Sequence, residues 1–275
     1  MQIIVLGMHR SGTSLTTRMI NMMGAYVGPE GMCGFNNDNP KGFWERRDVV
    51  QCNALLLKLN DPAWPDIHIA NWIASWADKQ PPYRMEDVRR SMKTILLNMD
   101  AHRPWVMKDP YLCLTLPYWK PLLEVPVCII VYRDPLEIAG SLRIRENNAV
   151  PSFERSMALW EYYTVGMLNA TGSMPRLHVA HADLLHRPVE TCEMLCTQLM
   201  AQGVRRLAMP MAKEIEAFID PALYRSKPGM ADTVELSPAQ QALAEILQGL
   251  RPQKDAVTVS ESSQSVIRAR RPTPA

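Results

Sequence analysis

The chain opens on an apolar run, Ile3-Ile4-Val5-Leu6, that halts at Gly7 and gives way to a polar turn, His9-Arg10-Ser11-Gly12-Thr13-Ser14. This predicts a strand running into a loop. Leu15, Met19, Ile20, Met22 and Met23 then recur at helical spacing, and Gly24 suits the C′ position, so 13–23 reads as a helix. Residues 28–45 are rich in Gly, Asn, Asp and Pro and predict a loop. Helical periodicity returns over 48–59 through Val49, Val50, Leu55, Leu56 and Leu59. Between 61 and 82, Pro62, Pro65, Pro81 and Pro82 alternate with Trp64, Trp72 and Trp76, a mixture that predicts short helices packed over an open edge as a lid.

The second half repeats the alternation. Val88, Met92, Ile95, Leu96 and Met99 mark a helix over 84–99, and Trp105-Val106-Met107 is a short strand ending at Lys108-Asp109-Pro110. Val127-Cys128-Ile129-Ile130-Val131-Tyr132 is a continuous apolar run of the kind found in a parallel strand covered on both faces. Pro135 suits the first turn of a helix reaching about residue 146. Helices over 153–168, 191–200 and 238–250, and a strand over 176–180, complete the pattern. Strands separated by helices predict an α/β fold with a mostly parallel, doubly wound sheet flanked by helices in three layers. We read 1–251 as one such domain, with lid or acceptor-binding insertions at about 28–45 and 61–82. The polar stretch 252–275 reads as a disordered tail.

Composition narrows the function by exclusion. Of 275 residues, 47% are hydrophobic and 21% charged, as in soluble globular proteins. Thirty basic against 28 acidic residues leave a net charge of +2, which supplies no general attraction to nucleic acid or to a membrane surface. Anion affinity must therefore be local. The six cysteines form no C-x-x-C pair and no disulfide framework, and Cys192 and Cys196, at i and i+4, read as core. The histidines show no ligand spacing, so no metal is assigned. No basic leader is followed by a long apolar stretch, and no run approaches the ~20 apolar residues of a membrane span. These features predict a cytoplasmic protein without stable membrane insertion.

Three strand ends carry polar motifs: residues 9–14, Lys108-Asp109, and Arg133 with the helix after it. In open α/β sheets ligands bind beyond the carboxyl ends of the strands. Gly7 and Gly12 keep the G-x-x-x-x-G spacing of a phosphate-binding loop, but Thr13 stands where a nucleotide-hydrolysing loop has lysine. Backbone N–H groups of the Ser11-Gly12-Thr13 turn at a helix N-terminus suit phosphate oxygens, and Arg10 adds a cation with fork geometry. Arg133 and Ser141, eight apart, stand at a strand end and two helical turns on, where both can meet one anion. Taken singly, the first motif is also compatible with a tight strand-to-helix turn, and the second with a surface turn.

Together these motifs resemble the sulfotransferases that use 3′-phosphoadenosine-5′-phosphosulfate. Residues His9 to Ser14 are similar to that family's 5′-phosphosulfate loop. Val131-Tyr132-Arg133-Asp134-Pro135-Leu136-Glu137-Ile138-Ala139-Gly140-Ser141 is similar to its 3′-phosphate segment. Asn39-Pro40-Lys41-Gly42-Phe43-Trp44-Glu45 and Met107-Lys108-Asp109-Pro110 resemble segments of bacterial and glycan-modifying members. The resemblance implies a P-loop-like fold and transfer of a sulfuryl group from this donor, a co-substrate, to an acceptor hydroxyl or amine, as on a glycan, without a metal.

It also implies residue roles. His9, Arg10, Ser11, Gly12, Thr13, Ser14, Arg133 and Ser141 bind the donor. Arg10 neutralises the leaving phosphate, Lys108 is a second cation near the sulfuryl group, and Glu45 or alternatively Asp109 is the general base. Leu15 replaces the aromatic residue that often stacks on adenine, leaving Trp160 or Phe43 as platforms, and residues 225–229 suit a late basic loop over the 3′-phosphate. Two other readings stay open: a degenerate P-loop kinase, and a nucleotide-binding scaffold without turnover. The acceptor and the oligomeric state are left undetermined.

Overall fold

The computed structural model describes residues 1–28, 33, 39–63, 67, 71–145, 152–224, 235–249 and 257–268. Among these, four strands form one sheet: β1 (Gln2–Leu6), β2 (Trp105–Lys108), β3 (Pro126–Tyr132) and β4 (Arg176–Ala180), in the order β2-β1-β3-β4. Every pairing is parallel, with Ile4 opposite Met107 on one side and Cys128 on the other. The mostly parallel sheet read from the sequence is thus wholly parallel in its described strands.

Alternate residues of each strand enter opposite cores, because side chains on a strand point to opposite faces. Ile4, Leu6, Trp105, Met107, Cys128 and Ile130 pack with helices α2 (Arg47–Asn60), α4 (Met85–Asp100), α5 (Leu112–Trp119) and α7 (Phe153–Thr171). Ile3, Val5, Val127, Ile129, Val131 and Val179 pack with α1 (Thr13–Met22) and α9 (Pro188–Ala201). Both faces being covered explains why the strands read as unbroken apolar runs. Cys192 and Cys196 lie in this second core, and burial pushes the Cys52, Cys113, Cys128 and Cys192 thiols up to about 12. All six cysteines are free.

Two stretches bear on the expected organisation. The described part of 61–82 contributes α3 (Asn71–Asp78), whose Ile73, Ala74 and Ala77 are buried in the same core as α2. Residues 64–66 and 68–70, with Trp64, lie outside the described residues. The expectation of a disordered tail over 252–275 is corrected at 257–268, which follows α11 (Pro238–Leu247) and carries α12 (Glu261–Arg268) packed on α7. The physical reason is a buried carboxylate. Glu161 of α7 is fully buried and accepts hydrogen bonds from Ser263 Oγ at 2.7 Å and from the Ser260 N–H, while Ile267 closes the apolar contact. Without those donors Glu161 would be an unsatisfied buried group. A Ser263/Ile267 pair at i, i+4 is too weak a period to stand out among polar neighbours.

From β1 the chain moves to β2 on one side, and from β3 to β4 on the other. The strand order therefore reverses between the carboxyl ends of β1 and β3, which is where open parallel sheets form a ligand crevice.

Candidate functional site

The loop after β1 is shaped by contacts as much as by sequence. A Cβ on Gly7 would stand 2.6 Å from Ser11 Oγ and 3.1 Å from the Val131 carbonyl oxygen of β3. Gly12 has φ of 95°, and a Cβ there would fall 2.3 Å from His181 Cδ2. Both glycines let backbone approach a neighbour closely. Arg10 has φ of 70°, a left-handed conformation uncommon for a side chain of this size. Its carbonyl accepts from Arg133 Nη1 at 2.9 Å.

Two of the sequence motifs meet here. Arg10 Nε donates to Ser141 Oγ at 2.9 Å, so the β1 loop is joined to α6 (Pro135–Arg145) by a side-chain hydrogen bond and to Arg133 by the one just described. Arg133 and Ser141 are 8% and 3% exposed. No side chain caps α1 at Gly12, so its first N–H groups point out of the helix without a partner from within it. Gly12, Thr13 and Ser14 line a cavity of about 160 Å³ together with Arg10, Arg133 and His181. Ser11 does not join them: its N–H donates to the Met8 carbonyl at 3.2 Å and its hydroxyl donates to the same oxygen, closing the turn. His9 is likewise placed elsewhere, edge-on to Tyr111 and Tyr163 with ring centres 5.4 and 5.8 Å away.

The third motif lies on the other flank of Ser14. Lys108, at the end of β2, donates from Nζ to Ser14 Oγ at 3.1 Å and to Glu45 Oε1 at 2.5 Å. Glu45 is delivered by the segment 39–45, which sits on the loop: Asn39 Nδ2 donates to Ser14 Oγ at 3.4 Å and to the Gly42 carbonyl at 2.7 Å, and Ser14 Oγ donates to the Phe43 carbonyl at 3.1 Å. The Lys108 and Glu45 side chains are 1% and 13% exposed.

Asp109 faces inward. It is 2% exposed, with Oδ2 accepting from Asn53 Nδ2 at 2.7 Å and Oδ1 from the Tyr111 N–H at 3.3 Å. Asn53 in turn accepts at Oδ1 from Thr115 Oγ1 and Trp119 Nε1, both at 2.8 Å. Indole N–H is donor-only, so it fixes the amide with its NH₂ on Asp109. Burial first, then the neighbouring Glu45 carboxylate, push Asp109 up to about 7, against the opposing pull of Asn53, Tyr111 and Lys108.

Several residues were not anticipated by the sequence reading. His181 opens α8 (His181–His186) immediately after β4, and burial, followed by Arg133, Arg10 and His186, drives it down to about 3. Its place at a fourth strand end was the available signal. Phe218, at the end of α10 (Ala212–Phe218), and Tyr224 line the cavity but lie far along the chain in segments without periodicity. Arg18 is held between the Trp44 and Phe218 rings at 4.6 and 5.7 Å, and Lys41 Nζ lies 5.5 Å from the Phe218 ring. Trp160 is 2% exposed in the core, which removes it as a stacking platform. Residues 225–229 lie outside the described residues. Among the described residues no cluster of side chains suits a metal ion, and no helix is long and apolar enough to cross a membrane.

A strand-to-helix turn with the glycine spacing of a phosphate loop but threonine in place of its lysine is joined by hydrogen bonds to Arg133 and Ser141 at the switch point of a parallel sheet. Residues 2–202 match the model of the sulfotransferase family, and the chain belongs to that family. The fold is similar to that of the sulfotransferase STF9 from Mycobacterium avium, with a TM-score of 0.51 at 15% identity over 93% of this chain and 78% of that one. A sulfotransferase domain from the curacin biosynthetic pathway aligns over 97% of this chain and 96% of its own at 14% identity, with a TM-score of 0.42. No curated relative matches the chain by sequence.

Proposed function

We propose that this sulfotransferase takes its sulfuryl group from 3′-phosphoadenosine-5′-phosphosulfate and transfers it to an acceptor hydroxyl or amine. The observation that carries the reading is the junction of Arg10, Arg133 and Ser141, which gathers cations and donors from two loops at one strand edge. A donor with phosphates on two carbons of one ribose needs two such sites side by side. The uncapped start of α1 suits the 5′-phosphosulfate, and Arg133 with Ser141 suits the 3′-phosphate. Phe218 supplies an aromatic face on the cavity where Leu15 does not.

In this reading the acceptor oxygen attacks sulfur while the bond from sulfur to the 5′-phosphate oxygen breaks. The electron pair leaves on that phosphate, where Arg10, Ser14 and the α1 N–H groups meet the developing charge, with Lys108 beside the sulfuryl oxygens. Glu45 takes the acceptor proton. Asp109 does not suit that task, since both its oxygens are engaged and it is 2% exposed. We propose a glycan or other hydroxyl compound as acceptor, on the resemblance of the Glu45 segment to glycan-modifying members. We place the reaction in the cytoplasm, which the six free thiols suit.

The test is calorimetric titration with adenosine 3′,5′-bisphosphate, the product of the donor. Saturable binding that weakens at least about tenfold in Arg133→Ala is expected, as for loss of a charge-assisted bidentate contact. Absence of binding, or an unaffected Arg133→Ala, overturns the donor assignment. Incubation with labelled donor and a panel of glycans and phenols then identifies the acceptor, and binding without any transfer would reduce the protein to a nucleotide-binding scaffold.

A further inference from the structure

Glu137 stands in the first turn of α6, where a carboxylate is favourable simply through proximity to the helix N-terminus. That duty belongs to Asp134, whose Oδ1 accepts from the N–H groups of Leu136 at 2.8 Å and Glu137 at 3.2 Å. The Glu137 side chain turns inward. Its Oε2 accepts from Arg133 Nε at 3.0 Å, and its Oε1 accepts from the Tyr224 hydroxyl at 2.9 Å. The Arg133 guanidinium lies 5.5 Å from the centre of the Tyr224 ring. One carboxylate thus ties the end of β3, the start of α6 and the segment beyond α10, with the Arg133 and Glu137 side chains 7% and 13% exposed.

A carboxylate beside an anion site acts in two opposing ways. It repels the arriving phosphate, and it holds the guanidinium plane in one orientation. Here the second effect has more structure behind it. Arg133 is gripped at Nε by Glu137, at Nη1 by the Arg10 carbonyl and across its face by Tyr224. A guanidinium held in this way keeps its plane in a set direction, which is what bidentate recognition of phosphate requires. Losing Glu137 also leaves the Tyr224 hydroxyl without this acceptor, so the cavity wall around residues 219–224 loosens with it.

We propose that Glu137 is a positioning residue that orients Arg133 to read a phosphate on the 3′ carbon, and that with Tyr224 it makes the cavity select 3′-phosphorylated nucleotides. This rests on the donor reading above. The experiment compares calorimetric affinities for adenosine 3′,5′-bisphosphate and adenosine 5′-monophosphate in the unaltered protein, Glu137→Ala, Glu137→Gln and Tyr224→Phe. The unaltered protein is expected to prefer the bisphosphate. Glu137→Ala lowers bisphosphate affinity about tenfold and leaves the monophosphate within about threefold. Tyr224→Phe, which keeps the ring, gives a smaller loss in the same direction. Should the alanine variant fail to fold, Glu137→Gln, of equal reach without the charge, carries the same comparison.

A preference that stays the same or grows in the Glu137 variants overturns the proposal, for the carboxylate is then only a counter-charge. Equal weakening of both ligands also overturns it, because a purely structural role has no reason to single out one phosphate. If the unaltered protein binds neither nucleotide, the donor reading itself falls and takes this inference with it. A preserved bisphosphate preference in the variants removes this inference alone.

Discussion

The two flanks of Ser14 are built from opposite electrostatics. Toward β3 and β4 Arg10, Arg133 and His181 face the cavity, with Glu137 behind Arg133 and Asp220 on the cavity wall. Toward β2 the carboxylates Glu45 and Asp109 stand beside Lys108. Burial acts on both flanks with the same logic and opposite sign. It drives His181 down to about 3, helped by Arg133 and Arg10, and drives Asp109 up to about 7, helped by Glu45. In each case desolvation disfavours the charged form and like charges add to it. In the function proposed above, the first flank holds the multiply charged donor and the second accepts the acceptor's proton.

That contrast is breakable by substitution. The largest effect is expected from Glu45→Gln, which removes the proposed proton acceptor. Turnover with labelled donor should fall on the order of 10³-fold, while adenosine 3′,5′-bisphosphate affinity stays within about threefold. If Asp109→Asn produces that pattern and Glu45→Gln does not, the flank has been read in reverse. Lys108→Met comes next, with turnover down about 10²-fold. It should also lose about 3 kcal/mol of stability, since two carboxylates remain around a vacated buried cation. Urea denaturation checks the second figure, and an unchanged midpoint would show that the pair relaxes into water.

Gly12→Ala probes the other flank. The added methyl meets the His181 ring at a positive φ, so a loss of about 2 kcal/mol is expected. Donor-product binding should weaken with it, read by the same titration. A stable variant that still binds would mean the loop and His181 part without cost.

The smallest effect sharpens the comparison through pH. His181 refuses a proton when folded that its unfolded form takes below 6.5, so its contribution is present above 6.5 and is lost as pH falls toward 3. Asp109 runs the other way. Folded, it keeps a proton up to about 7 that the unfolded chain releases above 3.8, so its contribution is present below 3.8 and is lost as pH rises. Between 3.8 and 6.5 the two slopes oppose each other. Asp109→Asn should expose the His181 slope, on the order of 1 kcal/mol per pH unit. An acid-side stability profile identical to that of the unaltered protein would show that Asp109 does not titrate in that window.

How legible this was follows from where each interaction runs. Strands β1 to β4 were read within a residue of their ends because burial on both faces writes itself as a continuous apolar run. Gly7, Gly12, Arg133 and Ser141 were visible because a loop and a helical turn fix their spacing locally. The segment Glu261–Arg268 was missed because its reason for folding, the buried Glu161, lies about a hundred residues away. Asn53 was hidden inside a helix, and only the donor-only indole of Trp119 reveals which way its amide faces. Phe218 and Tyr224 carried no pattern at all.

By itself the sequence determined the α/β alternation, the family and the spacing of the two motifs proposed to bind the donor, since these depend on local periodicity and on residue types at fixed spacing. Only the tertiary structure decided that Arg10 bridges to Ser141, that Ser11 and His9 turn away from the cavity, and that Glu137 backs Arg133 rather than capping its helix. It also divided the two carboxylates, leaving Glu45 on Lys108 and burying Asp109 on Asn53. The reason is physical: orientation, exposure and desolvation belong to the packed neighbourhood, and a carboxylate reads the same along the chain whichever way the fold turns it.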